Sequence, residues 1–420
     1  MTVGEVDRVE QTAVPSWREV VRVPGVLPIL LATALSTWGD YVARLAVASV
    51  VFTRTHSPLA TATTLAVSYV PTILGSTLLS PLADRFHHRS VLAVMALVRA
   101  LLVVVLIAAV DTVAPLPLLL GAMALLQLAG GPAASASRVM WVELVPDRRQ
   151  FVRVMGLSEL LDQTNQAVGL ALGAVFIALV GVPTSLLLDL LTFLVVAAVV
   201  LAVVPRGSPR VDDEHHGGAF GRLLVGVRTV RHDTVLARLT LLSLAAVLGI
   251  VAPEAAAIAY ARGGPGGGLL MAAPIAGAAL GIVVVSRWAP QVAHRRLVPM
   301  ALLMPVPLLF TAFTPPYAVV WGLWFVSGCL QAFMLPLQTS FAVLSPPARR
   351  ATIFGLVGAL SVGLTGAVYL LVGWLTEVTT APAAVTMAAV VGLGATVLLA
   401  GTWPRQRILD AVTEAFDGAP

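Results

Sequence analysis

About twelve apolar stretches, each long enough to cross a bilayer, occupy this 420-residue chain. A helix needs about 20 apolar residues to traverse the hydrocarbon. Inside it, only helices and closed barrels satisfy every backbone polar group. The stretches run near 24–52, 58–82, 90–110, 114–141, 151–178, 181–204, 234–261, 267–288, 297–314, 316–343, 351–375 and 381–403. They predict an all-α integral membrane protein of twelve transmembrane helices. Charged residues make up 11% of the chain, against about 25% in soluble domains, and this deficit decides for lipid.

All 26 basic residues are arginine, the usage of a GC-rich and hence bacterial genome. The net charge of +5 does not read as nucleic-acid binding, because the arginines cluster in short loops beside apolar spans. Alternate loops hold Arg85 and Arg89; Arg148, Arg149 and Arg153; Arg206 through Arg231; Arg287, Arg295 and Arg296; Arg349 and Arg350; and Arg405 and Arg407. The opposite loops hold only Arg54 and Arg262. The positive-inside rule then predicts a multi-pass protein of the cytoplasmic (inner) membrane with both termini in the cytoplasm. The polar start of the chain lacks a basic region and a cleavage site, so it reads as a retained tail and not a signal peptide.

The expected organisation is a tail (1–22), a first six-helix half (23–204), a linker (205–233), a second six-helix half (234–403) and a C-terminal tail (404–420). In and just beyond the linker, Leu223, Val227 and Val230 alternate with Arg222, Arg228 and Arg231, the pattern of an amphipathic helix on the inner leaflet. A repeat supports two pseudo-symmetric halves. Leu144-Val145-Pro146-Asp147-Arg148-Arg149 followed by Gly156-Leu157 recurs as Leu344-Ser345-Pro346, Arg349-Arg350 and Gly355-Leu356. His88-Arg89 and His294-Arg295 match at a similar offset. Duplicated bundles are common among secondary transporters, with the substrate site between the halves.

The loop after the second span reads Ser80-Pro81-Leu82-Ala83-Asp84-Arg85-Phe86-His87-His88-Arg89-Ser90-Val91-Leu92. It resembles the major facilitator superfamily signature G-x-L-A-D-R-x-G-R-R-x-x-L, matching at Leu82, Ala83, Asp84, Arg85, Arg89 and Leu92. Ser80, His87 and His88 depart from it. Ser36-Thr37-Trp38-Gly39-Asp40, the stretch from Arg138 to Pro146, and Gly226-Val227-Arg228-Thr229-Val230-Arg231-His232-Asp233 resemble the macrolide-efflux and siderophore-exporter branch of drug–proton antiporters. Gly169-Leu170-Ala171-Leu172-Gly173-Ala174 lacks the proline and one glycine of the element that such antiporters often carry in span five. The resemblance implies a cytoplasmic gate of Asp84, Arg85 and Arg89, with Asp84 meeting the start of span eleven just after Arg349 and Arg350. His87 and His88 read as solvated loop histidines.

Charges inside the spans are the candidate chemistry, because a buried charge in a bilayer serves a pathway, a coupling ion or a partner. Asp40 and Arg44 share one face of span one by their spacing of four. Either Asp40 carries a coupling proton, tuned by Arg44, or the two form a permanent ion pair. Glu159, Asp162 and Gln166 share a face of span five, with Gln163 and Asn165 nearby. That cluster is either a second proton site or a partner for Arg44 or Arg99. Asp189, read as lying toward the outer side of span six, is a further proton candidate or a packing partner. Glu254, close to the outer end of span seven, is expected to face water or, alternatively, to serve an outer gate.

Spans eight to twelve are almost free of charge. Trp321, Trp324, Phe325 and Phe333, with Gln331 and Gln338, are the candidate cavity wall there, beside Gln163 and Gln166 of the first half. A mainly hydrophobic second-half surface suits an amphipathic cargo better than a sugar. The Asp212-Asp213-Glu214-His215-His216 run reads as a solvated linker and not a metal site. No nucleophile–base set, zinc spacing or cofactor loop marks an enzyme, so none is expected, with no cofactor and no metal. The single Cys329 excludes an intrachain disulfide. The expectation is a monomeric exporter of a small lipophilic or amphipathic compound in exchange for protons. The alternatives are a nutrient uptake or uniport carrier and a non-transporting membrane scaffold or sensor.

Overall fold

The computed structural model describes residue 19 and residues 21–69, 71–72, 74–75, 79, 86–145, 147–205, 219–264, 266–346 and 349–417. The first half comprises α1 (Val26–Thr55), α2 (Pro58–Ala66), α3 (His88–Asp111), α4 (Leu116–Leu144), α5 (Arg148–Val180) and α6 (Val182–Val203). A linker helix α7 (Ala219–His232) follows. The second half comprises α8 (Thr234–Tyr260), α9 (Gly266–Val285), α10 (Pro290–Leu303), the short α11 (Val306–Leu309) with a 3₁₀ turn (Phe310–Phe313), α12 (Tyr317–Leu330), α13 (Met334–Leu344), α14 (Arg350–Val378) and α15 (Ala381–Ala400). A terminal helix α16 (Arg405–Asp417) closes the chain.

Ten of these helical stretches are long and apolar enough to cross a membrane. This is consistent with twelve spans. Helix α2 (Pro58–Ala66) lies in a further apolar stretch of the sequence. The 33-residue α5 is long enough, but its polar run Glu159 to Gln166 lowers its hydropathy. The ninth span starts at Pro290, seven residues before its expected start, so His294, Arg295 and Arg296 lie on a helix and not in a loop. Capping follows the sequence locally. Ser57 accepts from Ala60 N at 3.1 Å to start α2, and Asp233 accepts from Val235 N at 2.8 Å and Leu236 N at 3.1 Å to start α8, each satisfying otherwise orphaned N–H groups.

The packing distinguishes the two faces of the membrane. One buried cluster joins both halves, from Leu45, Leu65 and Leu170 of the first to Ala256, Leu270, Trp324, Tyr369 and Val385 of the second. It lies toward the face opposite the arginine-rich loops, where α2 packs on α14 and α5 on α9. Toward the arginine-rich face the cores are separate. One contains Ile29, Trp141 and Val204 of the first half, the other Leu236, Leu297 and Phe341 of the second.

Helix α1 records the same opening along its length. At 3.6 residues per turn, Leu27, Leu31 and Leu35 share a side with Leu45 and Phe52. The first three are 42%, 59% and 46% exposed, whereas Leu45 is 2% exposed against the second half. Phe52 packs against Gly263, where an added Cβ would lie 2.9 Å from its ring. One face of one helix is therefore sealed between the halves at one end and open at the other. Among the described residues, the molecule is closed on the opposite face and open to the arginine-rich face.

The linker helix travels with the second half. Its Gly226 lies so close to α14 that a Cβ would meet Leu356 Cβ at 3.2 Å, and Arg349 Nη1 donates to Thr229 Oγ1 at 3.2 Å. Val230 is buried, while Val225 and Val227 stay exposed, so one face of the expected amphipathic helix docks on protein.

Candidate functional site

The charged centre forms where three helices of the first half meet. Asp40 is at the midpoint of the 30-residue α1. Its partner is Arg99 of α3, whose Nη2 reaches Oδ1 at 2.7 Å and Oδ2 at 2.8 Å. The expected Asp40–Arg44 pair does not form. Arg99 approaches from the neighbouring helix, while Arg44 turns one helical step away and stands 5.3 Å from the Tyr41 ring. The Arg99 guanidinium also stacks 4.2 Å over the Phe193 ring of α6, a cation–π contact that strengthens when desolvated.

Asp189 completes the centre from α6. It is fully buried, and neither carboxyl oxygen has a hydrogen-bond partner among the described residues. Its Oδ1 presses against Gly39, where a Cβ would lie only 2.6 Å away. Glycine in Trp38-Gly39-Asp40 thus lets the carboxyl reach the α1 backbone. Asp189 lies beside Asp40 at mid-bundle and not toward the outer side. An unpaired charge buried there costs several kcal/mol, and a bound proton removes that cost.

A cavity of about 300 Å³ opens beside this centre, between α1 and α5. Thr33, Thr37, Ser158, Asp162 and Asn165 supply its polar lining, and Leu30, Met155 and Leu161 its apolar lining. Asn165 Nδ2 closes its inner end by donating to Ala34 O at 2.7 Å. Beyond that, Gly169 packs against Tyr41, with 2.9 Å to an added Cβ. Asp162 is exposed to the cavity, and Gln166 is half-buried one turn further on. The side chains of Glu159 and Gln163 lie outside the described residues, as do Asp84, Arg85 and the 212–216 run.

The aromatic wall expected in the second half does not line a cavity. Trp324 and Phe333 are fully buried. Trp321 donates to Leu269 O at 3.1 Å and stacks on Phe325 at 5.3 Å, packing α12 onto α9. Gln331 is also buried and Gln338 exposed. Helical spacing alone does not say which face meets the core, and here small residues draw α9 and α12 together over these rings. The exposed apolar surface facing the opening comes instead from Leu27, Leu31 and Leu35 of the first half, which no motif marked.

Two further residues depart from expectation. Glu254 does not face outer water: it lines a narrow cavity between the halves with Arg44, Ser68, Tyr69 and Tyr369. His88 is buried and meets Glu143 Oε2 at 3.2 Å, because it begins α3 against the end of α4. Arg89 donates to the Leu201 carbonyl, so it ties α3 to α6 within the first half. On the closed rim, Glu377 of α14 accepts from Ser57 Oγ at 2.5 Å and from Leu59 N at 3.1 Å. Nothing in the sequence singled it out, since the contact joins residues 320 apart.

Among solved structures, the fold is similar to that of the nucleoside transporter NupG, with a TM-score of 0.70 and 12% identity over 90% of this chain and 99% of that one. A POT family transporter in complex with 5-aminolevulinic acid gives 0.68 and 12% over 91% and 96%. The inward-open xylose transporter XylE from E. coli gives 0.60 and 15% over 89% and 94%. At these identities the likeness concerns the fold. No curated protein matches the sequence. The model of the Major Facilitator Superfamily matches residues 29–262, more than half of the chain. The all-helical fold and that match agree, and the chain belongs to the major facilitator superfamily.

Proposed function

We propose that this protein exports a small lipophilic or amphipathic compound across the cytoplasmic membrane in exchange for protons, with the arginine-rich face in the cytoplasm. The observation that carries the reading is the Asp40–Arg99 pair standing beside the buried, unpartnered Asp189. One cation serves two carboxyls, so only one of them holds its charge cheaply. Asp189 takes up and releases the proton. Asp40 and Arg99 set which form is favoured, and Asp162 stands at the cavity through which the proton reaches water. The exposed leucines of α1 give the cargo an apolar surface, and the hydroxyl and amide groups of the adjoining cavity orient its polar end. Rocking of the two halves then exposes this site to either side.

The test is Asp40→Asn in proteoliposomes, using a lipophilic dye and an antibiotic panel. Without the Asp40 charge, Arg99 turns to Asp189 and fixes it as an ion pair. Proton-driven export is expected to vanish while the purified protein stays folded. Wild-type export driven by a pH gradient would overturn the assignment. In cells, reduced accumulation that a protonophore reverses is the matching result, and accumulation above the control would indicate uptake.

A further inference from the structure

Arg44 and Glu254 are the charges that the site above leaves unused. Arg44 lies one turn beyond Asp40 on α1, yet Asp40 is committed to Arg99. Among the described residues no carboxylate oxygen lies within 4.0 Å of Arg44, and its buried Nε has no hydrogen-bond partner. Across the interface, α8 contributes Glu254, about two turns before the end of its span. The two line the same narrow cavity, one from each half. Around them Tyr69 of the first half stacks on Tyr369 of the second, with 5.4 Å between ring centroids and 25° between planes.

Arg44 therefore stands between two carboxylates, Asp40 on its own helix and Glu254 on the other half. A cation at this depth needs a partner, and the choice of partner has a mechanical consequence. We propose that Arg44 and Glu254 are positioning residues that transmit the charge state of the Asp40–Asp189 centre to the closure between the halves. This rests on the proton-coupled reading. With a proton on Asp189, Arg99 stays on Asp40, and Arg44 and Glu254 attract each other across the cavity they share and hold the opposite face shut. When the proton leaves Asp189 for water, its carboxylate draws Arg99. Asp40 then takes Arg44, four residues away on the same face, and Glu254 loses its partner. The opposite face opens, which is the order an exporter needs: proton release inside precedes outward opening.

The test is a double-mutant cycle read by distance and not by transport. Spin labels at Thr112→Cys and Thr379→Cys, exposed on the opposite face of the two halves, are placed in a Cys329→Ser background in nanodiscs without cargo or gradient. Asp189→Asn, standing in for the protonated form, should favour the closed distance about fivefold or more. In Glu254→Gln that shift should disappear. In Glu377→Gln, which loosens the rim of the same face, it should persist. An undiminished shift in Glu254→Gln overturns the proposal. If Asp189→Asn moves nothing in the parent, the proton site is at fault, and the pair is judged by Arg44→Gln. Arg44→Gln and Glu254→Gln should each open the face equally, with the double variant no wider. Shifts that add would show two independent effects and overturn the pair.

Discussion

In the first half the middle of the bundle is held by charge, whereas in the second it is held by backbone contact. Asp40, Arg99 and Asp189 meet between α1, α3 and α6, and Gly39 is there to make room for a carboxyl. In the second half glycine makes room for main chain: a Cβ on Gly328 would lie 2.0 Å from Pro274 O, and one on Gly281 2.2 Å from Cys329 O. Lipid tails are as apolar as leucine, so helices in a bilayer gain little by hiding apolar surface and associate through close packing and polar contacts. The second half relies on close packing, and the first adds charge to it, since a Cβ on Gly75 would also lie 2.1 Å from Leu128 O. A packed backbone has one arrangement, but a carboxyl pair sharing one arginine has at least two. The first half is thus the responsive member and the second the stiff body against which it rocks.

The largest effect tests the stiff half. Gly328→Leu places a side chain in the Pro274 backbone, which cannot give way as a flexible side chain could. Overpacking of this kind costs about 1–3 kcal/mol in ordinary cores, occasionally more, and contact with main chain falls at the upper end. The expected outcome is loss of monodisperse protein in detergent, or a large drop in melting temperature. Gly322→Leu on the same helix, where an added Cβ meets nothing within 4 Å, should melt like the parent. Equal melting of the two variants would remove the contrast between the halves.

Much of this architecture was legible from residue type alone. Apolar runs bounded by arginine-rich loops marked the spans, because hydrocarbon tolerates little else, and Asp40 stood out as a charge at mid-span, whereas Asp189 was read as lying toward the outer side. Which carboxyl meets which arginine was not legible. Spacing of four linked Asp40 to Arg44 within one helix, but the rotation of α3 and α6 around α1 decided for Arg99, and no local pattern encodes that rotation. The same blindness misplaced Trp324 and Phe333. An aromatic at helical spacing reads alike on a core face and on a cavity face until the neighbouring helix is known. Glu377 was invisible for a simpler reason: at the end of an apolar span a glutamate looks like any solvated terminus.

The opening on the first half gives an intermediate effect. Leu31 and Leu35 are exposed on the face of α1 that turns toward the gap. Burying a leucine against a ligand contributes about 1.5–3 kcal/mol. Leu31→Asn with Leu35→Asn should therefore weaken binding of a lipophilic cargo at least about tenfold, with little change in melting temperature, since neither side chain packs in a core. Dye binding measured by fluorescence anisotropy checks this. Unchanged affinity would move the cargo surface to the second half and reverse the division of labour drawn above.

The smallest effect belongs to the rim, where a carboxylate of one half meets a helix start of the other. Glu377 accepts from the Ser57 hydroxyl and the Leu59 N–H at the start of α2. These hydrogen bonds join the halves and set a charge at a helix N-terminus, where it is favoured by about 0.3–1 kcal/mol when exposed. Water reaches this site, so removing the charge costs no buried desolvation. Glu377→Gln keeps the acceptor and loses the charge. The opposite-face distance should shift toward open by a factor of about two to five, and the shift should shrink as salt is raised, because exposed charges are screened. The deeper Arg44–Glu254 pairing proposed above, in a cavity lined by Tyr69 and Tyr369, should keep its effect in the same salt series. A rim shift that ignores salt would mean that Glu377 acts through packing, and that both levels of closure, like the second half itself, rest on shape.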